Sequence, residues 1–124
     1  MNPPVMTDMR SEYSKTLIEL GKENQNIVVL GADTTDSLKT SGFGKVFPNR
    51  FFNVGIAEAN LVSLSAGLAA SGKISFASTY AIFLPGRAVD QIRNGIAYPS
   101  SGNKKGLNVK LVVSHGGLSV GPDG

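Results

Sequence analysis

The sequence contains no cysteine, which removes two classes of chemistry. Neither a disulfide framework nor a thiolate nucleophile is available among the 124 residues. Nothing at the start resembles a signal peptide, because residues 1–9 carry two prolines and no apolar core. With these two features we expect a cytoplasmic protein.

Long apolar runs and clusters of basic residues are also lacking. The longest apolar stretch, residues 61–70, is interrupted by Ser63, Ser65 and Gly67 and is far shorter than a membrane span. Lys and Arg are scattered over a chain of net charge +3, and Lys104-Lys105 are expected in a solvated turn. We therefore expect one domain that binds neither a membrane nor nucleic acid.

Glycine, by contrast, is abundant, and its 15 copies sit mainly at the ends of apolar runs. Apolar runs at residues 27–30, 51–55, 74–78 and 109–113 predict four β-strands, the first of them buried on both faces. Helices are predicted over residues 8–20, 57–71 and 86–97, with a polar loop over 99–106. This alternation predicts an α/β fold with a mainly parallel sheet flanked by helices.

The first predicted helix has an apolar face and an expected end point. Met9, Tyr13, Leu17 and Leu20 fall at helical spacing on one face. Gly21 stands where a C-terminal glycine cap belongs. The helix over residues 57–71 has little polar face, which predicts burial against a large surface.

Polar and aromatic side chains follow each predicted strand. In open parallel sheets, ligands bind in the crevice beyond the carboxyl ends of the strands. The residues placed there are Asp33 and Ser37 after the first strand, Glu58 after the second, Tyr80, Phe83 and Arg87 after the third, and His115 and Asp123 after the fourth. These residues are the candidates for a site.

Glu58 opens the least polar predicted helix and has three interpretations. It is a first-turn glutamate that the helix dipole favours, or it pairs with a buried arginine, or it serves as a desolvated acid for proton transfer. Structural carboxylates outnumber catalytic ones, so the sequence alone leaves all three open. For His115, a structural role and a role beside a ligand are equally open, since Gly116-Gly117 allow close approach. On composition alone, Tyr80 and Phe83 are core residues and Arg10 is a surface residue.

Five segments, in order along nearly the whole chain, resemble the transketolase family. The segment GIAEAN at residues 55–60 is similar to the family's G-I-A-E-x-N turn, and TYAIF at 79–83 with RAVDQIR at 87–93 is similar to its aromatic loop and following helix. The other three are SHGGLSVGPDG at 114–124, Met9-Arg10 with Tyr13 and Leu17, and GADT at 31–34 with Ser37. The resemblance implies the pyrimidine-binding domain of a thiamine-diphosphate enzyme, with a three-layer α/β fold.

The resemblance also implies roles for the candidate residues. Glu58 matches the glutamate that hydrogen-bonds N1′ of the aminopyrimidine and promotes proton removal from thiazolium C2. Phe83 matches the aromatic residue that stacks on the pyrimidine, with Tyr80 as a second wall. The remaining assignments are Asp33 lining the cofactor site, Arg10, Ser37 and His115 on the substrate phosphate, with His115 also catalytic, and Asp123 on a substrate hydroxyl.

The family's metal–diphosphate motif, G-D-G followed by an asparagine, is absent from the sequence. The diphosphate and its Mg²⁺ or Ca²⁺ are therefore expected on a partner chain or domain, in a homo- or hetero-oligomer. We expect residues 1–124 to form one pyrimidine-binding domain, incomplete at its C-terminal end and nearly inactive alone. Pro122 replaces the family's usual glutamate, and Pro85-Gly86 lengthen the segment before Arg87, whose role stays open.

The expected activity is that of a transketolase of the pentose phosphate pathway, in which a two-carbon ketol group moves between phosphorylated sugars. Two alternatives are a deoxyxylulose-phosphate synthase-like enzyme and a non-catalytic assembly module. The His-Gly-Gly-Leu-Ser-Val-Gly run favours transketolase over the first. The presence of Glu58, Phe83, Arg10 and His115 together argues against the second, since a scaffold needs none of them.

Overall fold

Helices and strands alternate along the part of the chain that the computed structural model describes, residues 6–102, 105–118 and 121. The elements are α1 (Met9–Glu23), β1 (Ile27–Gly31), α2 (Ser41–Val46), a 3-10 turn (Pro48–Arg50), β2 (Phe51–Asn53), α3 (Glu58–Ala70), β3 (Ile74–Tyr80), α4 (Phe83–Gln91), a π-helical segment (Ile92–Ala97), α5 (Tyr98–Ser101) and β4 (Val109–Ser114). Among these residues, no helix combines the length and the apolar character needed to cross a membrane.

The four strands form one parallel sheet in the order β2-β1-β3-β4. Strand β1 lies in the middle, with Val29 beside Phe51 of β2 and Phe76 of β3. All five residues of β1 are buried. This agrees with a parallel strand that is covered on both faces.

The side chains of β1 alternate between two cores. Ile27 and Val29 pack with Leu17 of α1 and Phe43 of α2. Val28 and Leu30 point to the opposite face and pack with Leu61 of α3 and Ala77 of β3. Because a strand alternates its side chains with a period of two, an unbroken apolar run serves both faces. The predicted three-layer α/β fold with a parallel sheet is confirmed.

Helix α1 departs from the prediction at its C-terminal end. It continues to Glu23, so Gly21 is not a cap but a buried residue inside the helix. The rings of Phe43 and Phe47 lie where a Cβ at Gly21 would point. Leu17 is buried, but Met9, which borders an open cavity, and Leu20 are exposed.

The residues from α2 to the 3-10 turn fasten the end of α1, although the sequence did not predict these two elements. The guanidinium of Arg50 donates to the carbonyl of Gly21 at 2.9 Å and to that of Asn24 at 3.1 Å. It also lies 4.0 Å from the centroid of the Phe47 ring. Arg50 therefore donates hydrogen bonds to carbonyls at the end of α1 that lack an intrahelical donor.

The helix after β3 begins earlier than predicted, at Phe83 instead of residue 86. Pro85 falls in its first turn, where backbone N–H groups have no intrahelical acceptor, so the proline does not interrupt the helix. Helical structure also extends to Ser101, across the beginning of the predicted loop. Phe83 therefore stands on a helix rather than in a loop.

Substitution of Gly21 with alanine tests the packing at the end of α1. A Cβ there would lie 2.6 Å from a Phe43 ring carbon and 2.8 Å from one of Phe47. We expect Gly21→Ala to lower the free energy of unfolding by about 1–3 kcal/mol, although alanine is the better helix former. The measurement is urea unfolding.

The control is Gly67→Ala in α3, where an added Cβ meets nothing within 4 Å. We expect it to raise the free energy of unfolding by about 0.5–1 kcal/mol. Stabilisation by both substitutions would contradict the close packing around Gly21.

Candidate active site at the carboxyl edge of the sheet

The chain changes direction within the sheet between β1 and β3. The strand that follows β1 pairs on one side of it, and the strand that follows β3 pairs on the opposite side. In parallel sheets, such a change opens a crevice at the carboxyl ends of the two strands. The segments that leave this crevice carry most of the predicted site residues.

Glu58 is the first residue of α3, and its side chain is only 2% exposed. Nη1 of Arg87 lies 3.2 Å from Oε1 and 3.1 Å from Oε2. The hydroxyl of Thr79 also donates to Oε1, at 3.3 Å. An arginine partner was one of the three interpretations of Glu58, but this arginine is half exposed, with 45% of its side chain accessible. The pair therefore has one buried and one open side.

Aromatic rings continue the site away from Glu58. The Arg87 guanidinium carbon lies 3.9 Å from the centroid of the Phe83 ring. Phe83 and Tyr80 stack with centroids 5.5 Å apart and an interplanar angle of 26°. The imidazole of His115 lies 4.1 Å from the Tyr80 ring. Residues from α3, β3, α4 and the end of β4 are thus brought into one cluster.

Tyr80 links this cluster to the first helix. Its hydroxyl donates to Oγ of Ser37 at 2.9 Å. Nη1 of Arg10 donates to the Ser37 carbonyl at 3.2 Å, and Nε of Arg10 contacts Asp8 at 3.3 Å. Six of the eight predicted site residues therefore lie in one connected group: Arg10, Ser37, Glu58, Tyr80, Phe83 and His115.

A cavity of about 860 Å³ lies beside this group, between the start of α1 and the end of β4. Arg10, Tyr13 and His115 line it, and Glu58 and Phe83 do not. The cavity therefore belongs to the part of the site predicted for the substrate. The carboxylate and the Phe83 ring form a separate, neighbouring part.

Asp33 stands apart from the group. It is exposed, has a positive φ of 60°, and its N–H donates to Oδ1 of Asn53 at 2.9 Å. Asn53 also donates to Oδ1 of Asp33, and Gly55 donates its N–H to Asn53. Asn53 was not among the predicted site residues, although Asn before a glycine-bearing turn is a typical signal for side-chain bonding to the backbone. Asp123 lies outside the described residues.

His115 has a backbone conformation that is uncommon for a residue other than glycine. Its φ is 59°, in the left-handed region that non-glycine residues seldom adopt. Its Nδ1 lies 2.6 Å from Oγ of Ser114. Such conformations cluster at functional sites, where the surrounding structure holds them.

Tyr13 contributes a buried hydroxyl that the sequence analysis did not assign to the site. Tyr13 and Ser78 share a hydrogen bond of 2.9 Å between their hydroxyls. Burial raises the pKa of Tyr13 to about 12, although this hydrogen bond acts in the opposite direction. The tyrosine therefore stays neutral, and it borders the cavity.

The described residues contain no group of three His, Cys, Asp or Glu side chains that could hold a metal ion. The chemistry in this part of the chain is that of one buried carboxylate, stacked rings and hydrogen-bond donors. A planar, hydrogen-bonding group fits the space beside Glu58, because a planar guanidinium already lies there on the Phe83 ring.

Nearly the whole chain matches a known protein family. The family model described as the pyrimidine-binding domain of transketolase matches residues 5–124. The chain belongs to this family. A transketolase C-terminal section from Methanocaldococcus jannaschii is 52% identical over 120 residues, which are 97% of this chain and 36% of that protein.

Two further relatives bear on the function. A solved structure described as a split gene transketolase, inactive beta4 tetramer, is 56% identical with a TM-score of 0.73, over 86% of this chain and 33% of that one. A 1-deoxy-D-xylulose-5-phosphate synthase from Desulfotalea psychrophila is 37% identical over 112 residues, 90% of this chain and 16% of that protein. The chain thus spans about a third or less of the length of these relatives.

Replacement of Tyr13 with phenylalanine tests the burial of its hydroxyl. The ordinary pKa of tyrosine is 10.0, so the unfolded chain loses the proton first as the pH rises. The stabilising contribution is complete below pH 10 and is lost as the pH approaches about 12. Between about pH 8 and about pH 11, we expect wild type to lose on the order of 1 kcal/mol more stability than Tyr13→Phe.

The measurement is urea unfolding at both pH values, with Tyr98→Phe as the control because Tyr98 is exposed. Equal alkaline losses in wild type and Tyr13→Phe would show that the Tyr13 hydroxyl is accessible to solvent.

Proposed function

We propose that this chain is the pyrimidine-binding part of a thiamine-diphosphate-dependent transketolase. In this proposal it transfers a two-carbon ketol group between phosphorylated sugars, together with a partner that holds the diphosphate and its metal ion. Membership of the family makes this chain a transketolase-type part of an enzyme, and thiamine diphosphate is the cofactor of that family. The specific reaction, the metal and the partner are our proposals, as is the cytoplasmic location.

The observation that carries the proposal is that the guanidinium of Arg87 contacts both the buried carboxylate of Glu58 and the ring of Phe83. The aminopyrimidine needs a hydrogen-bond partner for N1′ and a flat apolar surface for its ring. Glu58 offers the first and Phe83 the second, and the planar guanidinium of Arg87, which contacts both, supports this proposal. When bound, thiamine diphosphate supplies the nucleophilic carbon of the thiazolium ring.

The roles of the chain's own residues follow from their chemistry. N1′ is an acceptor, so a Glu58 oxygen has to carry the proton in that contact. Thr79, whose hydroxyl donates to Oε1, holds the carboxylate in place. Tyr80 keeps the Phe83 ring in position by stacking on it. Glu58 is therefore proposed to hold the proton at N1′, while Phe83 and Tyr80 orient the ring.

Arg10, Ser37 and His115 are proposed to bind the phosphate of the sugar. Arg10 and His115 line the same cavity, and Ser37 contacts both Arg10 and Tyr80. A guanidinium fork and neighbouring donors are the groups that bind phosphate well. We also propose Asp33 for the cofactor site, Asp123 for a substrate hydroxyl and His115 for a catalytic role.

The partner is proposed to dock on the side of the chain that bears Glu58 and Phe83. Ile56 and Ile82, each close in sequence to one of these residues, are 75% and 56% exposed, and Val89 of α4 is 65% exposed. Exposed apolar side chains close to a site indicate a contact surface. The relatives described as a C-terminal section and a split gene transketolase support an assembly with another subunit.

The test is a reconstitution of ketol transfer. The complete subunit would be mixed with a partner that carries the metal–diphosphate motif, thiamine diphosphate and Mg²⁺, and assayed with pentose phosphates. We expect Glu58→Gln to lower kcat at least about a hundredfold, the usual scale for proton-transfer groups. Glu12→Gln is the matched control, since Glu12 is an exposed partner of Lys15 and should leave kcat unchanged.

The same mixtures would be assayed with pyruvate and a triose phosphate. Glu58-dependent activity there, and none with pentose phosphates, would favour the deoxyxylulose-phosphate synthase-like alternative, which the Desulfotalea relative supports. A formed complex without either activity would favour the assembly module.

A further inference from the structure

One guanidinium occupies both of the contacts that the proposed function gives to the aminopyrimidine. Nη1 of Arg87 donates to the two oxygens of Glu58, at 3.2 and 3.1 Å. The guanidinium carbon of the same residue lies 3.9 Å from the centroid of the Phe83 ring. The guanidinium is planar, as a pyrimidine ring is, and it lies against the same carboxylate and the same aromatic face.

We propose that Arg87 is a positioning residue that holds the place of the aminopyrimidine and has to leave before the cofactor binds. The inference rests on the proposed function, because it takes Glu58 and Phe83 as cofactor residues. In this arrangement the cofactor competes with a residue of the chain itself. Arg87 therefore lowers the affinity for the cofactor while it stabilises the cofactor-free site.

The difference in exposure between the two partners determines which one moves. Glu58 is 2% exposed and is fixed at the start of α3, with Thr79 donating to it. Arg87 has 45% of its side chain exposed, at the end of a long and flexible stem. Hydration of the guanidinium is already half complete, so the main cost of its departure is the loss of a partner for Glu58, which the incoming ring replaces. The carboxylate has no comparable route to water.

The hydrogen-bond chemistry also changes when Arg87 leaves. A guanidinium has donors and no acceptor, so Glu58 can only accept from it. The N1′ contact needs a proton on a Glu58 oxygen instead. A Glu58 oxygen that accepts a hydrogen bond from Arg87 therefore cannot at the same time donate one to N1′. Arg87 and the aminopyrimidine thus compete for hydrogen bonds to Glu58 as well as for space.

The test is a titration of thiamine diphosphate, with Mg²⁺, into the complete subunit in complex with its diphosphate-binding partner, followed by calorimetry. We expect Arg87→Ala to lower the Kd about tenfold, which corresponds to about 1.4 kcal/mol. The matched control is Arg93→Ala, because Arg93 also lies over a ring, that of Tyr98, at 5.7 Å. It should leave the Kd unchanged.

A second substitution and a second measurement cover the case in which Arg87→Ala folds poorly. Arg87→Lys keeps the cation without the planar fork, so it should lower the Kd by a smaller factor. In thermal unfolding, Arg87→Ala should lower Tm without cofactor, where Glu58 loses its partner. With saturating cofactor the difference from wild type should shrink, because the ring takes the place of the guanidinium.

The Glu58→Gln background separates the two proposals. In the Glu58→Gln protein, Arg87 no longer has a carboxylate to pair with, so Arg87→Ala should no longer lower the Kd. In the protein that keeps Glu58, an unchanged or higher Kd for both Arg87→Ala and Arg87→Lys would overturn this inference. If Glu58→Gln still weakened cofactor binding, the proposed function would remain intact. Failure of Glu58→Gln to alter cofactor binding would overturn the proposed function itself.

Discussion

The site is organised around a carboxylate that is buried at the start of an apolar helix. Glu58 is 2% exposed, and a buried charge without a partner would cost several kcal/mol. Thr79 at the end of β3 and Arg87 on α4 supply the partners. Both partners come from the segments on either side of Tyr80 and Phe83. The requirement to satisfy Glu58 therefore also fixes how β3 and α4 meet.

Tyr80 connects that carboxylate to the rest of the site. It is the last residue of β3, stacks on Phe83, contacts the His115 ring and donates to Ser37. One side chain thus contacts residues from three other segments of the chain. The ring of Tyr80 makes the stack and its hydroxyl makes the bond to Ser37. A phenylalanine in its place would therefore keep the stack and lose the bond to Ser37. The proposed cofactor and substrate parts of the site are coupled through this residue.

Much of the fold could be predicted from the sequence, because period-two burial and strand–helix alternation are local patterns. Ile27 to Leu30 fill both cores, as their unbroken apolar character predicted. The end of α1 could not be predicted, since Gly21 resembles a cap locally and only the distant rings of Phe43 and Phe47 explain its place inside the helix. Helix α2 is six residues long, too short for a periodic signal.

The candidate site was predictable in its residues but not in its contacts. The resemblance to transketolases named Glu58 and Phe83, but it left Arg87 without a role. The hydrogen bond from Gly55 to Asn53 is local, but Asp33 meets Asn53 only when β1 and β2 pair, so the sequence did not place Asn53 beside a candidate residue.

The open side of the site has a physical consequence for how this domain works. Glu58 and Thr79 are buried, whereas Arg87 is half exposed and Ile56 and Ile82, close in sequence to Glu58 and Phe83, are exposed. Loss of the Arg87 contact leaves the buried Glu58 without its charged partner, and a ligand that hydrogen-bonds Glu58 can offset that loss. An apolar surface beside it gains free energy only when a second surface excludes the water. In such a domain, a planar ring can replace Arg87 as the partner of Glu58. The proposed partner would then exclude water from the site.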